Sequence, residues 1–134
     1  MPNKYKIYPD INFAISILEP GAKSFEELYQ LAKEFREDKN FSSVHYQLTD
    51  MRDCSFDFDM SKFAEMGTLI DLYKETDKQK LGVYIVDLPK ETAYVHLFFN
   101  SIKYPREYCS SVDRAFNLLN LPITFEEFKQ MINI

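Results

Sequence analysis

Two hydrophobic periods alternate along the chain, and their order predicts the architecture. Residues 4–8 alternate with Tyr5 and Ile7 in phase, which reads as a strand. Pro9-Asp10 supplies turn chemistry, and 12–19 (NFAISILE) repeats the period of two with Phe13, Ile15 and Ile17 on one face. The two runs are close enough in sequence for an antiparallel hairpin. Pro20-Gly21 is expected to end the second strand. The period then changes to helical. Ser24-Phe25-Glu26-Glu27 is a capping box, followed by Leu28, Leu31, Ala32 and Phe35 on an inward face, with Glu34, Arg36, Glu37 and Asp38 facing water. Asn40 is the expected stop.

The alternation repeats downstream. Residues 43–49 (SVHYQLT) read as a strand with Val44, Tyr46 and Leu48 on one face. A helix over about 61–75 carries Phe63, Met66, Ile70 and Tyr73, flanked by Leu69 and Leu72. Residues 81–86 (LGVYIV) are almost wholly apolar, as expected of a parallel strand covered on both faces. Pro89 opens a helix with Ala93, Leu97, Phe98 and Ile102 inward, and 107–109 form a short strand. Ser110-Ser111-Val112-Asp113 and Thr124-Phe125-Glu126-Glu127 start two further helices, the first with apolar Ala115, Phe116 and Leu119, the second with Phe125, Phe128 and Ile132. The expectation is an α/β fold in a single layered domain. It has a mostly parallel, mixed five-stranded sheet, an N-terminal antiparallel hairpin strand and four to five helices. The core spans about 4–119, with 120–134 a helical extension.

At 134 residues such a domain buries enough apolar surface to fold without a disulfide or a metal. The formal net charge of -5, with lysines scattered among acids, disfavours a nucleic-acid partner and an anionic membrane surface. No apolar run approaches the ~18 residues of a membrane span. The N-terminus lacks an apolar signal core, and Cys54 and Cys109 lie far apart, so a reduced, cytoplasmic protein is expected.

The densest polar segment is 50–61, DMRDCSFDFDMS. Asp57 and Asp59 stand in a D-x-D-x-S pattern that phosphoryl-transfer sites use with magnesium. Such a pair belongs at the tip of a buried apolar strand, whereas polar residues 53–55 precede it, and a later magnesium-binding aspartate pair is missing. Counted from Asp53 or Asp57 as a calcium loop, the positions that require glycine and glutamate hold neither. The plainer reading is a strand exit, an arginine tie in which Arg52 bridges Asp50 and Asp53, and a helix start. There Asp59 or Ser61 caps free N–H groups and acids complement the helix dipole. His45 and His96 have no metal-ligand spacing, neither cysteine has a basic partner in the sequence, and three glycines form no phosphate-binding loop. No cofactor is expected. Tyr94, Phe98, Phe99, Tyr104 and Tyr108 cluster about the third helix and its exit. They are either a wide core stripe, or the surface of a partner or small apolar ligand.

Residues 48–53 (LTDMRD), the helix 63–73, the strand 81–86 and the segment 109–116 (CSSVDRAF) together resemble the SpoIIAA-like branch of the STAS superfamily, the sulfate transporter and anti-sigma factor antagonist domains. The resemblance covers about 5–119. It implies a mixed sheet surrounded by helices and a non-enzymatic regulatory role through a protein partner. In the anti-sigma antagonists a serine at the start of the helix after the third strand is phosphorylated. Asp59-Met60-Ser61 occupies that place here, with Gly67 six residues on, while the D-S-S-G pattern of the family is absent. Relatives similar in fold to the CRAL-TRIO group bring a small apolar or lipid ligand into consideration. The N-terminal strand, if an exposed edge, also allows a homodimer.

Overall fold

The computed structural model describes residues 3–99 and 105–133. Strands β1 (Lys4–Tyr8) and β2 (Phe13–Ile17) form the expected antiparallel hairpin, with Lys4 opposite Ile17 and Tyr8 opposite Phe13. Asn12 makes the return in left-handed conformation, φ 55°, which asparagine tolerates better than most residues. Beyond β2 the chain does not simply turn. Gly21–Lys23 forms a short strand, β3, before helix α1 (Phe25–Glu37). Ser24 Oγ accepts from the Glu27 backbone N–H and the Glu27 carboxylate accepts from the Ser24 N–H, which completes the capping box.

Strand β4 (Tyr46–Asp50) runs parallel to β2. It starts later than the periodicity predicts because Phe41–Ser43 closes a 3-10 turn. Val44 therefore packs with Phe35, Phe41 and Ala14, apart from the cluster that holds Tyr46 and Leu48. Strand β5 (Cys54–Phe56) pairs parallel with β3 in a separate two-stranded sheet. Helix α2 (Phe63–Leu72), strand β6 (Leu81–Ile85), helix α3 (Pro89–Phe99), strand β7 (Arg106–Cys109), α4 (Val112–Leu119) and α5 (Phe125–Ile132) follow.

The main sheet has the order β1-β2-β4-β6-β7, with every pair after the hairpin parallel. Four parallel strands laid side by side in chain order need like-handed crossovers, which puts the connecting helices α1, α2 and α3 on one face. Their buried residues Phe25, Leu28, Phe63, Met66, Leu69, Val95 and Phe98 share one cluster. Helices α4 and α5 cover the opposite face, where Phe13, Ile15, Leu48, Val83 and Ile85 meet Ala115, Leu119, Phe128 and Ile132. Phe128 lies against Phe13 and is fully buried, so the segment read as an extension is part of the core. The expected α/β domain with a mixed five-stranded sheet is observed, and the described residues form five α-helices, at the upper end of the four to five expected.

Four side-chain placements differ from the periodicity. Arg36 is 6% exposed rather than facing water, because Phe35 and Phe41 wrap its guanidinium. On α3 the inward residues are Glu91, Val95 and Phe98, whereas Ala93 is exposed and Leu97 is 46% exposed. Leu72, at the end of α2, also lies in solvent. Ile102 lies outside the described residues. Among the described residues no helix is long and apolar enough to cross a membrane.

Candidate functional site

The segment 50–61 folds as a strand exit and a helix start. Arg52 donates two bonds to Asp50, Nε to Oδ1 at 2.9 Å and Nη2 to Oδ2 at 2.8 Å. Asp53 does not share in this bidentate tie. It sits in left-handed conformation, φ 60°, and its N–H donates to Asp87 Oδ1 at 2.9 Å. Asp59 caps the turn before α2 by accepting from the Ser61 N–H at 2.8 Å, and these bonds hold its carboxyl below the usual carboxylate range. Asp57, Asp59 and Ser61 are exposed, and beside them Met60 is 38% exposed.

Phe56 has an unusual partner set. It lies on the side of β5 that has no neighbouring strand. Its N–H donates to Glu91 Oε2 at 2.8 Å, and its carbonyl accepts from Lys90 Nζ at 2.8 Å. Two consecutive α3 side chains thus satisfy both backbone groups as a strand would. This anchors the helix start to α3.

The aromatic set does not form one surface. Tyr94 packs on Phe56, Phe58 and Phe63, and Phe98 stacks on Phe63 at 5.0 Å, inside the core. Phe99 contacts Tyr84 and Tyr108, and Tyr108 meets His96 across a shallow groove at the β7 edge that also includes Arg106 and Arg114. Tyr104 lies outside the described residues.

A second site appears only in three dimensions. The strand face beneath α1–α3 presents Ser16, Gln47, Thr49 and Tyr84, the positions out of phase with the apolar set. Between this polar floor and the apolar roof lies a cavity of about 80 Å³. Leu28, Leu31 and Ala32 of α1, Met66 and Ile70 of α2, and Val95 and Phe98 of α3 form much of the roof. Arg36 is the one charged residue among the described lining residues.

The polar groups of this cavity are poorly partnered. Arg36 Nη1 donates to the Ala32 carbonyl of its own helix at 3.2 Å, while Arg36 Nε has no acceptor. No carboxylate among the described residues forms an ion pair with Arg36. The neighbouring acids are engaged elsewhere, Glu37 by the Tyr73 hydroxyl and Asp38 by the Tyr5 hydroxyl. Gln47 Oε1 is buried without a donor, and Gln47 Nε2 makes only a 3.4 Å contact to Thr49 Oγ1. Tyr84 accepts from Arg106 and is held in place by it. The strand alternation contained the signal for this site: a polar phase on three strands that are otherwise buried.

Neither cysteine is poised for nucleophilic chemistry. Burial pushes the Cys54 thiol up to about 11 and raises that of Cys109. Both are free thiols. No group of three or more His, Cys, Asp or Glu residues among those described could hold a metal ion. No family model matches the chain, and no curated protein or solved structure matches it either.

Proposed function

We propose that this chain is a non-enzymatic, cytoplasmic regulatory domain that senses a small molecule held between its sheet and helices α1–α3. The observation that carries this reading is the cavity whose floor is polar although the strands that build it are buried. A strand face that only packed against helices would be apolar, since buried polar groups without partners cost roughly 1–3 kcal/mol each. The opposite face of the same sheet is apolar throughout its centre, with Phe13, Ile15, Leu48, Val83 and Ile85. Pockets of mainly apolar lining with a few converging polar groups are the usual form of small-molecule sites. The reading moves the ligand from the aromatic cluster at 94–108 to the cavity over Gln47. It stands beside the STAS resemblance, which also implies a role without catalysis.

The test is ligand-observed NMR with a library of small fragments. Fragments are expected to bind, and their saturation-transfer signals are expected to vanish in Ala32→Phe, which fills the cavity from α1. No binding fragment, or binding unchanged in a folded Ala32→Phe protein, overturns the reading.

A second reading assigns a protein partner to the helix start. It is favoured by the exposure of Met60, an apolar side chain that follows the exposed acids Asp57 and Asp59 and precedes Ser61. Ser61→Glu and Ser61→Ala are expected to change which proteins cross-link to the domain. An identical cross-linked set for both variants and the native chain removes this reading.

A further inference from the structure

The cavity also constrains the chemistry of its occupant. We propose that it binds a small amphiphile with an anionic head, a short-chain carboxylate, whose head group pairs with Arg36 and Gln47. This rests on the ligand-binding reading above and adds the chemical class.

A guanidinium removed from water needs an anion or a full set of acceptors. Arg36 is 6% exposed, its Nε is unpartnered, and no acid among the described residues pairs with it. The lining supplies no carboxylate either, so the missing counter-charge can come from a ligand without displacing an existing ion pair. Arg is the side chain best shaped to meet a carboxylate through two parallel N–H bonds.

Gln47 belongs to the same end of the cavity. Arg36 lies over the rings of Phe35 and Phe41, which pack on Ala14, and Ala14 is the register neighbour of Gln47 across β2 and β4. The side-chain amide of Gln47 is 7% exposed and tethered only by its long contact to Thr49. The two ends of an amide are nearly isosteric. Turned over, Gln47 offers Nε2 to a carboxylate while Oε1 accepts from the Thr49 hydroxyl. An anion between them then gives both residues an acceptor.

The remaining lining sets the other end of the ligand. Leu28, Met66, Ile70, Val95 and Phe98 offer nothing polar to it. A cavity of about 80 Å³ admits a tail of only a few carbons. A second cation on the ligand would meet no partner and would face Arg36.

The experiment is isothermal titration calorimetry at neutral pH with three probes of equal chain length: butanoate, butanol and butylamine. Butanoate is expected to bind saturably at one site. Butanol is expected to bind roughly tenfold or more weakly, the loss of a charge-assisted pair, and butylamine not at all. Arg36→Met, which keeps the apolar stem and removes the charge, is expected to equalise butanoate and butanol. Gln47→Met is expected to weaken butanoate without reversing its preference. Equal affinities for butanoate and butanol in the native chain overturn the anionic class and leave the cavity as an apolar ligand site. If no probe binds and the fragment screen is also empty, both proposals fall together. Butanoate binding that is unchanged in Arg36→Met overturns the assignment of the head group.

Discussion

Glu91 offers the sharpest test of how the helix start is held. Its carboxylate is buried and receives the Phe56 N–H at 2.8 Å, while Lys90, one residue earlier, donates to the Phe56 carbonyl. Replacing Glu91 by leucine keeps the volume and removes the acceptor. The Phe56 N–H is then buried without a partner. A hydrogen bond to a charged group is worth ~1.5–3 kcal/mol, and a stranded buried donor costs ~1–3 kcal/mol, two views that overlap rather than add. Leucine recovers ~1 kcal/mol through apolar burial. The Lys90–Glu91 ion pair contributes little, because Lys90 is largely exposed. The net expectation for Glu91→Leu is a loss of about 0.5–2 kcal/mol, or a fall in Tm of roughly 2–8 °C for a chain of this size. Glu91→Gln retains a carbonyl acceptor and loses only charge assistance, so about 1 kcal/mol is expected. Urea denaturation followed by circular dichroism measures both. Amide exchange should also quicken at Phe56 and Asp57 in the leucine variant before global unfolding. A leucine variant as stable as the native protein, or one whose Phe56 amide exchanges no faster than in the glutamine variant, refutes the reasoning.

The cysteines give a second set of outcomes. Cys54 is buried and its thiol holds its proton up to about pH 11, so a thiol reagent at neutral pH should label Cys109 first and Cys54 only on unfolding. Equal labelling rates in the folded protein contradict this. The raised value also fixes the sign of an alkaline effect. In the unfolded chain Cys54 gives up its proton near 9.0, earlier than in the fold, so stability present below that pH is lost as pH rises toward 11. Tyr5, pushed up to about 12 by burial and by its bond to Asp38, adds to the same loss above 10.0. Unfolding midpoints in urea from pH 8 to 11 check it, and Cys54→Ala should flatten the lower part of the curve.

Local sequence determined the elements and most of their ends. The capping boxes at Ser24 and Thr124 are closed by residues three apart, and both form as expected because all their atoms belong to one turn. The period of two in 13–17 and the apolar run 81–85 needed only the alternation of a strand to assign their faces. Asp59 as a cap was legible for the same reason. The two cappings and the acid-rich segment therefore read as structure without help from the fold.

What the sequence could not decide depended on residues far apart in the chain. Helical periodicity placed Arg36 in water, but Phe41, from a turn beyond the helix, covers it. The short strands 21–23 and 54–56 pair with each other, and at three residues each neither is long enough for a period to announce it. The partners of Phe56 come from α3, thirty-four residues or more downstream. The cavity is the clearest case. Ser16, Gln47, Thr49 and Tyr84 are each ordinary polar positions in a strand, and nothing in the chain order says they are neighbours. Parallel pairing aligned three of them into one floor, and like-handed crossovers laid three apolar helices above it. Periodicity is a property of one element, whereas a site is a property of several. The periodicity of this chain therefore determined its layers, and the packing of those layers alone decided where Arg36 was buried without an acid partner among the described residues.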